Sequence, residues 1–106
     1  MSAKVATCMQ AELEAISHPG RRKMLELVME QELQAGQLAT LTGMTQPAAS
    51  QHLRVLREAG LVEVRVDGPR RLYRVRFEAL QALRSQLDAF WGQHLEALRR
   101  ATEADR

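Results

Sequence analysis

The sequence predicts a mainly α-helical fold in which a small β-hairpin precedes the last of five helices. Apolar residues recur every three or four positions in five segments, which is the period of a helix with one buried side. Residues 61–77 instead alternate apolar and charged residues around Asp67-Gly68-Pro69-Arg70, as a hairpin does. The 106 residues contain no repeat and no Pro/Gly/Ser-rich linker. We therefore expect one domain over residues 1–106, with the order α1-α2-α3-α4-β-β-α5.

The first two helices follow from apolar spacing and from one proline. The first is predicted over about residues 5–17, and the second begins at Pro19, because a proline in the first turn loses no intrahelical hydrogen bond. The apolar residues that recur every three or four positions are Val5, Met9, Leu13 and Ile16 in the first helix, and the apolar set of the second is Met24, Leu25, Leu27 and Val28.

A tight turn follows the third helix. The segment AGQLATLTG predicts a short helix with Leu38 and Leu41 facing inward. Gly43 ends it, since glycine adopts the left-handed conformation that commonly closes a helix.

The fourth helix is predicted over residues 46–59. Thr45 supplies a capping hydroxyl, Pro47 fits the first turn and Gly60 ends the helix. Its inward stripe is Ala49, Leu53 and Leu56.

The hairpin and a long last helix complete the chain. In the hairpin the apolar positions are Val62, Val64 and Val66 before the turn and Tyr73, Val75 and Phe77 after it. The last helix, predicted over about residues 78–100, carries the apolar set Leu80, Leu83, Leu87, Phe90, Trp91, Leu95 and Leu98. It is longer than so small a core needs.

Composition and charge indicate the kind of partner. The chain is 45% hydrophobic and 26% charged, as soluble proteins are, and no apolar run approaches the roughly 18 residues of a membrane span. The N-terminus does not read as a secretory signal, so we expect a cytoplasmic protein. Residues 45–76 hold seven Arg against three acidic residues, a net charge of +4, whereas each flank is net −1. Arginine favours forked contacts to phosphate or guanine, and a solvated basic face is the alternative.

A short helix, a tight turn and a second helix form a helix-turn-helix, and the following hairpin makes it a winged helix-turn-helix. The sequence resembles the ArsR family of bacterial winged-helix repressors through HPGRRKMLELV and LATLTGMTQPAASQHLRVLREAGLVEVRVDGPRRLYRV. The resemblance covers about residues 11–100. It implies a homodimer, formed through the first and last helices, that binds a near-palindromic double-stranded DNA operator and represses transcription.

The recognition helix (residues 46–59) and the wing (residues 65–74) supply the predicted DNA contacts. Polar side chains opposite the apolar stripe of the recognition helix can bond to base edges, and wing arginines suit phosphates or a narrow minor groove. The candidate DNA-binding residues are Thr45, Gln46, Pro47, Ser50, Gln51, Arg54, Arg65, Arg70, Arg71 and Arg74.

Three neighbouring features have less specific interpretations. Arg21, Arg22 and Lys23 open the second helix, where they either bind a phosphate or are solvated. Arg76 reads as a surface charge, and His52 as a packed, hydrogen-bonding histidine. The candidate dimer interface consists of Met9, Leu13, Leu83, Leu87, Phe90 and Trp91.

The control of DNA binding is less well indicated. Many relatives bind metal through cysteines on the third helix or through Asp and His on the last, but residues 32–43 have no Cys, His or Asp here. The last helix offers only Asp88, His94 and Glu96 without a second His. No metal or other cofactor is therefore expected, and the trigger would be a small molecule, a partner protein or the protein's own concentration. A metal- or redox-responsive sensor that uses Cys8 and His94 across a dimer interface is an alternative.

Two other classes of function fit the sequence less well. An enzyme is not expected, because Ser50 and His52 are two positions apart on a helix and point in roughly opposite directions. A dimeric protein-protein adaptor, with a basic hairpin that binds an acidic surface, is the remaining alternative.

Overall fold

A computed structural model describes residues 2–104, and its side chains from residue 9 onwards. The predicted order of five helices and one hairpin is confirmed. The terminal helices are both longer than expected, and none of the helices in the described residues is long and apolar enough to cross a membrane. The elements are α1 (Ser2–Ser17), α2 (Pro19–Glu30), α3 (Ala35–Thr42), α4 (Gln46–Glu58), β1 (Val62–Asp67), β2 (Arg70–Val75) and α5 (Phe77–Ala104).

The helix starts are fixed by local capping. Pro19 is in the first turn of α2, and the backbone N–H of Gly20 donates to Nδ1 of His18 at 3.0 Å. At the start of α3, the side chains and backbones of Gln34 and Gln37 bond reciprocally as a capping box. The positions at which these helices start therefore depend on a few neighbouring residues.

The core is formed by one side of α2, α3 and α4 together with the start of β1. The large side chains at its centre are Met24, Leu38, Leu53, Leu56, Leu61 and Val62, all fully buried. The inward stripe predicted for α4 is confirmed, since Ala49 is also buried. Among the described side chains of α1, Ala15 is fully buried, Ile16 is half-buried and Leu13 is exposed, while the side chain of Val5 lies outside the described residues.

The prediction that Leu41 of α3 faces the core is wrong. Leu41 is 53% exposed, whereas Leu38 and Ala39 are buried. A helix of eight residues turns only one narrow side to the core. That side passes through Leu38 and Ala39 and continues to Thr42, so Leu41 lies beside it.

The predicted hairpin around Asp67-Gly68-Pro69-Arg70 is confirmed, and two of the apolar positions assigned to it differ from the expectation. Asp67 pairs with Arg70 across the Gly68-Pro69 turn. Val66, predicted to face inward, is 69% exposed, because the tip of the hairpin extends beyond the core. Phe77 was predicted to continue β2, but it begins α5 and is exposed.

Candidate nucleic-acid interface

The turn between α3 and α4 is held in one conformation. Gly43 adopts a left-handed conformation with φ of 73°, and the N–H of Met44 donates to the carbonyl oxygen of Ala39 at 3.0 Å. The hydroxyl of Thr45 accepts a hydrogen bond from the N–H of Ala48 at 3.3 Å, so its predicted role as the cap of α4 is confirmed. These contacts fix the direction in which α4 leaves α3.

The outer side of α4 is polar and exposed. Opposite its buried stripe, the side chain of Arg54 is ion-paired with Glu58 at 2.9 Å, one turn further along the helix. Both side chains are mostly exposed, and an exposed pair at this spacing is weak, so the guanidinium can exchange Glu58 for another acceptor. The exposed residues predicted to contact DNA on this helix are Gln46, Pro47, Ser50, Gln51 and Arg54.

Most arginines of the wing have a carboxylate partner within the chain. Arg70 pairs with Asp67 at 2.6 Å, and Arg74 pairs with Glu63 at 2.9 Å, both within the hairpin. Arg71 is exposed and makes no ion pair within the described residues. Asp67 and Glu63 are already counted in the net charge of +4 of residues 45–76, so these two pairs place that charge without lowering it.

Arg65, which was predicted to contact DNA, is bonded to another residue of the protein in this structure. Its guanidinium makes two hydrogen bonds to the carboxylate of Glu32, from Nε at 2.8 Å and from Nη2 at 3.1 Å. The hydrogen bond from Arg65 lowers the pKa of Glu32, so the pair is ionised at neutral pH. The sequence did not indicate Glu32 as a partner, because it lies 33 residues from Arg65 and no local pattern connects the two positions.

Arg21 and Arg22, near the start of α2, donate hydrogen bonds to the last carbonyl groups of α1. Arg21 donates to the carbonyl oxygens of Glu14 at 3.0 Å and Ala15 at 2.6 Å, and Arg22 donates to those of Ile16 at 2.7 Å and Ser17 at 3.1 Å. The last four carbonyl groups of a helix lack partners within it, and cations are favourable there. The solvated turn does not describe these two side chains, whereas a phosphate contact stays a prediction.

His52 is packed between helices, as predicted. Its Nδ1 lies 3.2 Å from Nη1 of Arg21, and its ring centroid lies 4.4 Å from that of His18. Burial, the neighbouring imidazole of His18 and the positive charge of Arg21 lower the pKa of His52. The side chain thus connects α4 to the start of α2 and is best packed there as neutral imidazole.

The second half of α5 presents an uncovered apolar side. Trp91 is 55% exposed and meets the ring of Phe90 edge to face, with centroids 5.4 Å apart. Leu95 and Leu98 are also more than half exposed. Leu83, predicted in the dimer interface, is only 4% exposed within the single chain, so it has almost no surface to offer a partner.

Of the two residues named for the alternative metal or redox site, the structure describes the side chain of His94. The side chain of Cys8 lies outside the described residues. Nδ1 of His94 lies 2.7 Å from the carbonyl oxygen of Phe90, and the two rings stack with centroids 4.1 Å apart. Within the described part of the chain, no three His, Cys, Asp or Glu side chains are grouped as metal ligands.

A fixed helix-turn-helix with a polar outer side, followed by an arginine-bearing hairpin, defines a winged-helix DNA-binding protein. Comparison with known proteins specifies the class further. Residues 18–64 match the model of the arsR family of bacterial regulatory proteins. The chain belongs to this ArsR family, and it is a transcriptional regulator rather than an enzyme.

Three similar proteins show how far the likeness extends. The HTH-type transcriptional regulator Rv2034 of Mycobacterium tuberculosis is 41% identical over 78 residues, which are 74% of this chain and 73% of the relative. The biofilm growth-associated repressor of Xylella fastidiosa strain 9a5c is 35% identical over 80% of this chain and 75% of its own. The solution structure of a homodimeric winged helix-turn-helix domain from Mycobacterium bovis, a possible ArsR-family regulator, superposes with a TM-score of 0.72. It is 30% identical and covers 91% of this chain and 89% of that one.

Proposed function

We propose that the chain forms a homodimer that binds a near-palindromic operator and represses transcription there. It would act in the cytoplasm as a single domain and be released by a small-molecule or protein effector. The observation that carries this proposal is the division of α4 into two sides. One side is buried and holds the helix against the core, while the other presents hydrogen-bonding groups of the kinds that read base edges in the major groove: Gln46, Ser50, Gln51 and Arg54.

The uncovered side of α5 supports the dimer. Burial of the exposed side chains of Phe90 and Trp91 against a second copy would lower the free energy by removing apolar surface from water, and aromatic residues commonly anchor such interfaces. Leu13 of α1 is exposed as well, in line with an interface that uses both terminal helices. We propose that the interface contains Met9, Leu13, Leu87, Phe90 and Trp91. The similar domain from Mycobacterium bovis is described as homodimeric.

A dimer would change how the recognition helix can be used. One α4 contacts a few base pairs, whereas two related by a twofold axis can read half-sites about 34–36 Å apart on one side of the duplex. Linking the two also raises affinity, because the second contact becomes intramolecular. Repression would follow from occupancy of the operator, and the similar protein from Xylella fastidiosa is named a repressor.

The proposal is tested by titrating the full chain with DNA from its own promoter region at two salt concentrations. Affinity should fall steeply with salt, with a slope of about −0.9 in log K against log salt for each phosphate neutralised. Weak, salt-insensitive binding would contradict the proposal and favour the protein-protein adaptor.

The contribution of α4 to base reading is tested with Gln51→Ala. If Gln51 contacts a base, the variant should lose about 1–3 kcal/mol of discrimination between the operator and an altered sequence. Its thermal stability should not change, since the side chain is exposed. Gln81→Ala, an equally conservative change at an exposed position of α5, is the matched control. Unchanged operator affinity in Gln51→Ala would remove this residue from the proposed interface.

A further inference from the structure

Besides the buried side chain of Leu72, two consecutive residues that precede α3 join the wing to the body of the domain. The carboxylate of Glu32 takes both hydrogen bonds from Arg65 of β1. Leu33 pairs with Tyr73 of β2 through its backbone. The N–H of Leu33 donates to the carbonyl oxygen of Tyr73 with a nitrogen-to-oxygen distance of 3.1 Å, and the N–H of Tyr73 donates to that of Leu33 at 2.8 Å. One short segment therefore holds both strands of the hairpin.

The other ion pairs of the wing have a different geometry. Arg70 and Arg74 pair with carboxylates of the hairpin itself, so these pairs stabilise it without fixing its direction. A two-stranded hairpin has little stability alone, and its orientation depends on what it packs against. Among the arginine pairs of the wing in the described residues, the Glu32–Arg65 pair is the one that reaches the body of the domain.

The arrangement of the Glu32–Arg65 pair suits a positioning role. A forked guanidinium bound through two nitrogens to one carboxylate has a defined direction, unlike a single contact to a lysine. The backbone of Leu33 limits movement of β2, and the side chain of Leu33 is buried. Arg71, which lies beyond these contacts towards the tip, is left exposed.

We infer that Glu32 is a positioning residue which, through Arg65, sets the direction of the wing so that Arg71 reaches the DNA backbone. The inference rests on the proposed function, since it concerns how the wing contributes to operator binding. It replaces the predicted DNA contact of Arg65 with a contact inside the protein.

Glu32→Ala and Glu63→Ala form the central comparison. Each removes one negative charge near the wing, which by itself should strengthen binding to the DNA polyanion. If Glu32 positions the wing, Glu32→Ala should instead weaken operator binding about threefold, the scale of an exposed pair. Glu63→Ala should not weaken it, because its partner Arg74 belongs to the same hairpin. Stronger binding in Glu32→Ala, together with weaker binding in Arg65→Ala, would make Arg65 a direct contact and overturn the inference.

Two further variants distinguish positioning from a general loss of stability. Exchanging the charges, Glu32→Arg with Arg65→Glu, should restore most of the binding lost in either single change. Arg71→Ala should cost less affinity in the Glu32→Ala background than in the natural chain, because a displaced wing has already lost that contact. Full additivity of these two changes would contradict the inference.

Amide hydrogen exchange provides a measurement that needs no DNA. The amides of Leu33 and Tyr73 should exchange faster in Glu32→Ala than in the natural chain, while those of α4 stay unchanged. Unchanged exchange at both amides would show that Glu32 does not hold the wing against the body of the domain, and would overturn the inference. Faster exchange in a chain that shows no salt-dependent operator binding would instead overturn the proposed function, and with it the role of Glu32 in binding DNA.

Discussion

The helices α4 and α5 are both amphipathic, yet only one of them covers its apolar side within the chain. In α4 the stripe through Leu53 and Leu56 is fully buried. In α5 the stripe begins buried at Leu83 and ends with Leu98 at 64% exposure. Amphipathic spacing therefore identifies which side of a helix avoids water, but not whether the same chain or another one covers that side.

The largest expected effect concerns the covered stripe of α4. Leu53→Ala should lower the free energy of unfolding by about 2–5 kcal/mol, because it leaves a cavity at a fully buried position. Denaturant titration measures this loss. As long as both chains have the same oligomeric state, the loss should not depend on protein concentration. Leu41→Ala, at the exposed leucine of α3, is the control and should change stability by less than about 0.5 kcal/mol. Equal losses in the two variants would mean that the contrast between covered and uncovered leucines is wrong.

The next effect concerns the uncovered side of α5. If a second copy covers Trp91, Trp91→Ala should weaken dimerisation by about 2 kcal/mol, which is roughly 30-fold in the dissociation constant. Sedimentation equilibrium over a range of concentrations measures the change. Gln93→Ala, at an exposed polar position of the same helix, should leave the dimer intact. A Trp91→Ala chain that dimerises as well as the natural one would require another occupant for this side of α5.

The smallest effect concerns His52, at the edge of the covered side of α4. Its pKa in the folded state is lower than the ordinary 6.5, so the unfolded chain binds the proton more readily. The stability contributed by neutral His52 is present above pH 6.5 and is lost as the pH falls from there towards the lower folded-state pKa. Unfolding free energies measured at several pH values should decline less in His52→Gln over this window. An identical decline would exclude His52 as its source.

The sequence was sufficient to predict features that depend on neighbouring residues. The cap at Thr45, the left-handed Gly43 and the buried stripe of α4 each depend on a few consecutive positions, and all three are confirmed. The pairing of Asp67 with Arg70 across the hairpin turn was predictable for the same reason.

Contacts between distant segments could not be predicted in this way. Arg65 was expected to contact DNA because its charge was visible, whereas its partner Glu32 is 33 residues away. Leu83 and Trp91 belong to one apolar pattern, and only the packing of the single chain separates them. Whether the predicted DNA-binding residues touch DNA stays a prediction, which the variants above test.

The guanidinium of Arg21 connects two parts of the molecule that have separate proposed roles. It donates to the carbonyl oxygens of Glu14 and Ala15 near the end of α1, beside the proposed interface residue Leu13, and it contacts His52 of the recognition helix. One side chain thus spans the distance between the helix proposed to meet a partner and the helix proposed to read the operator.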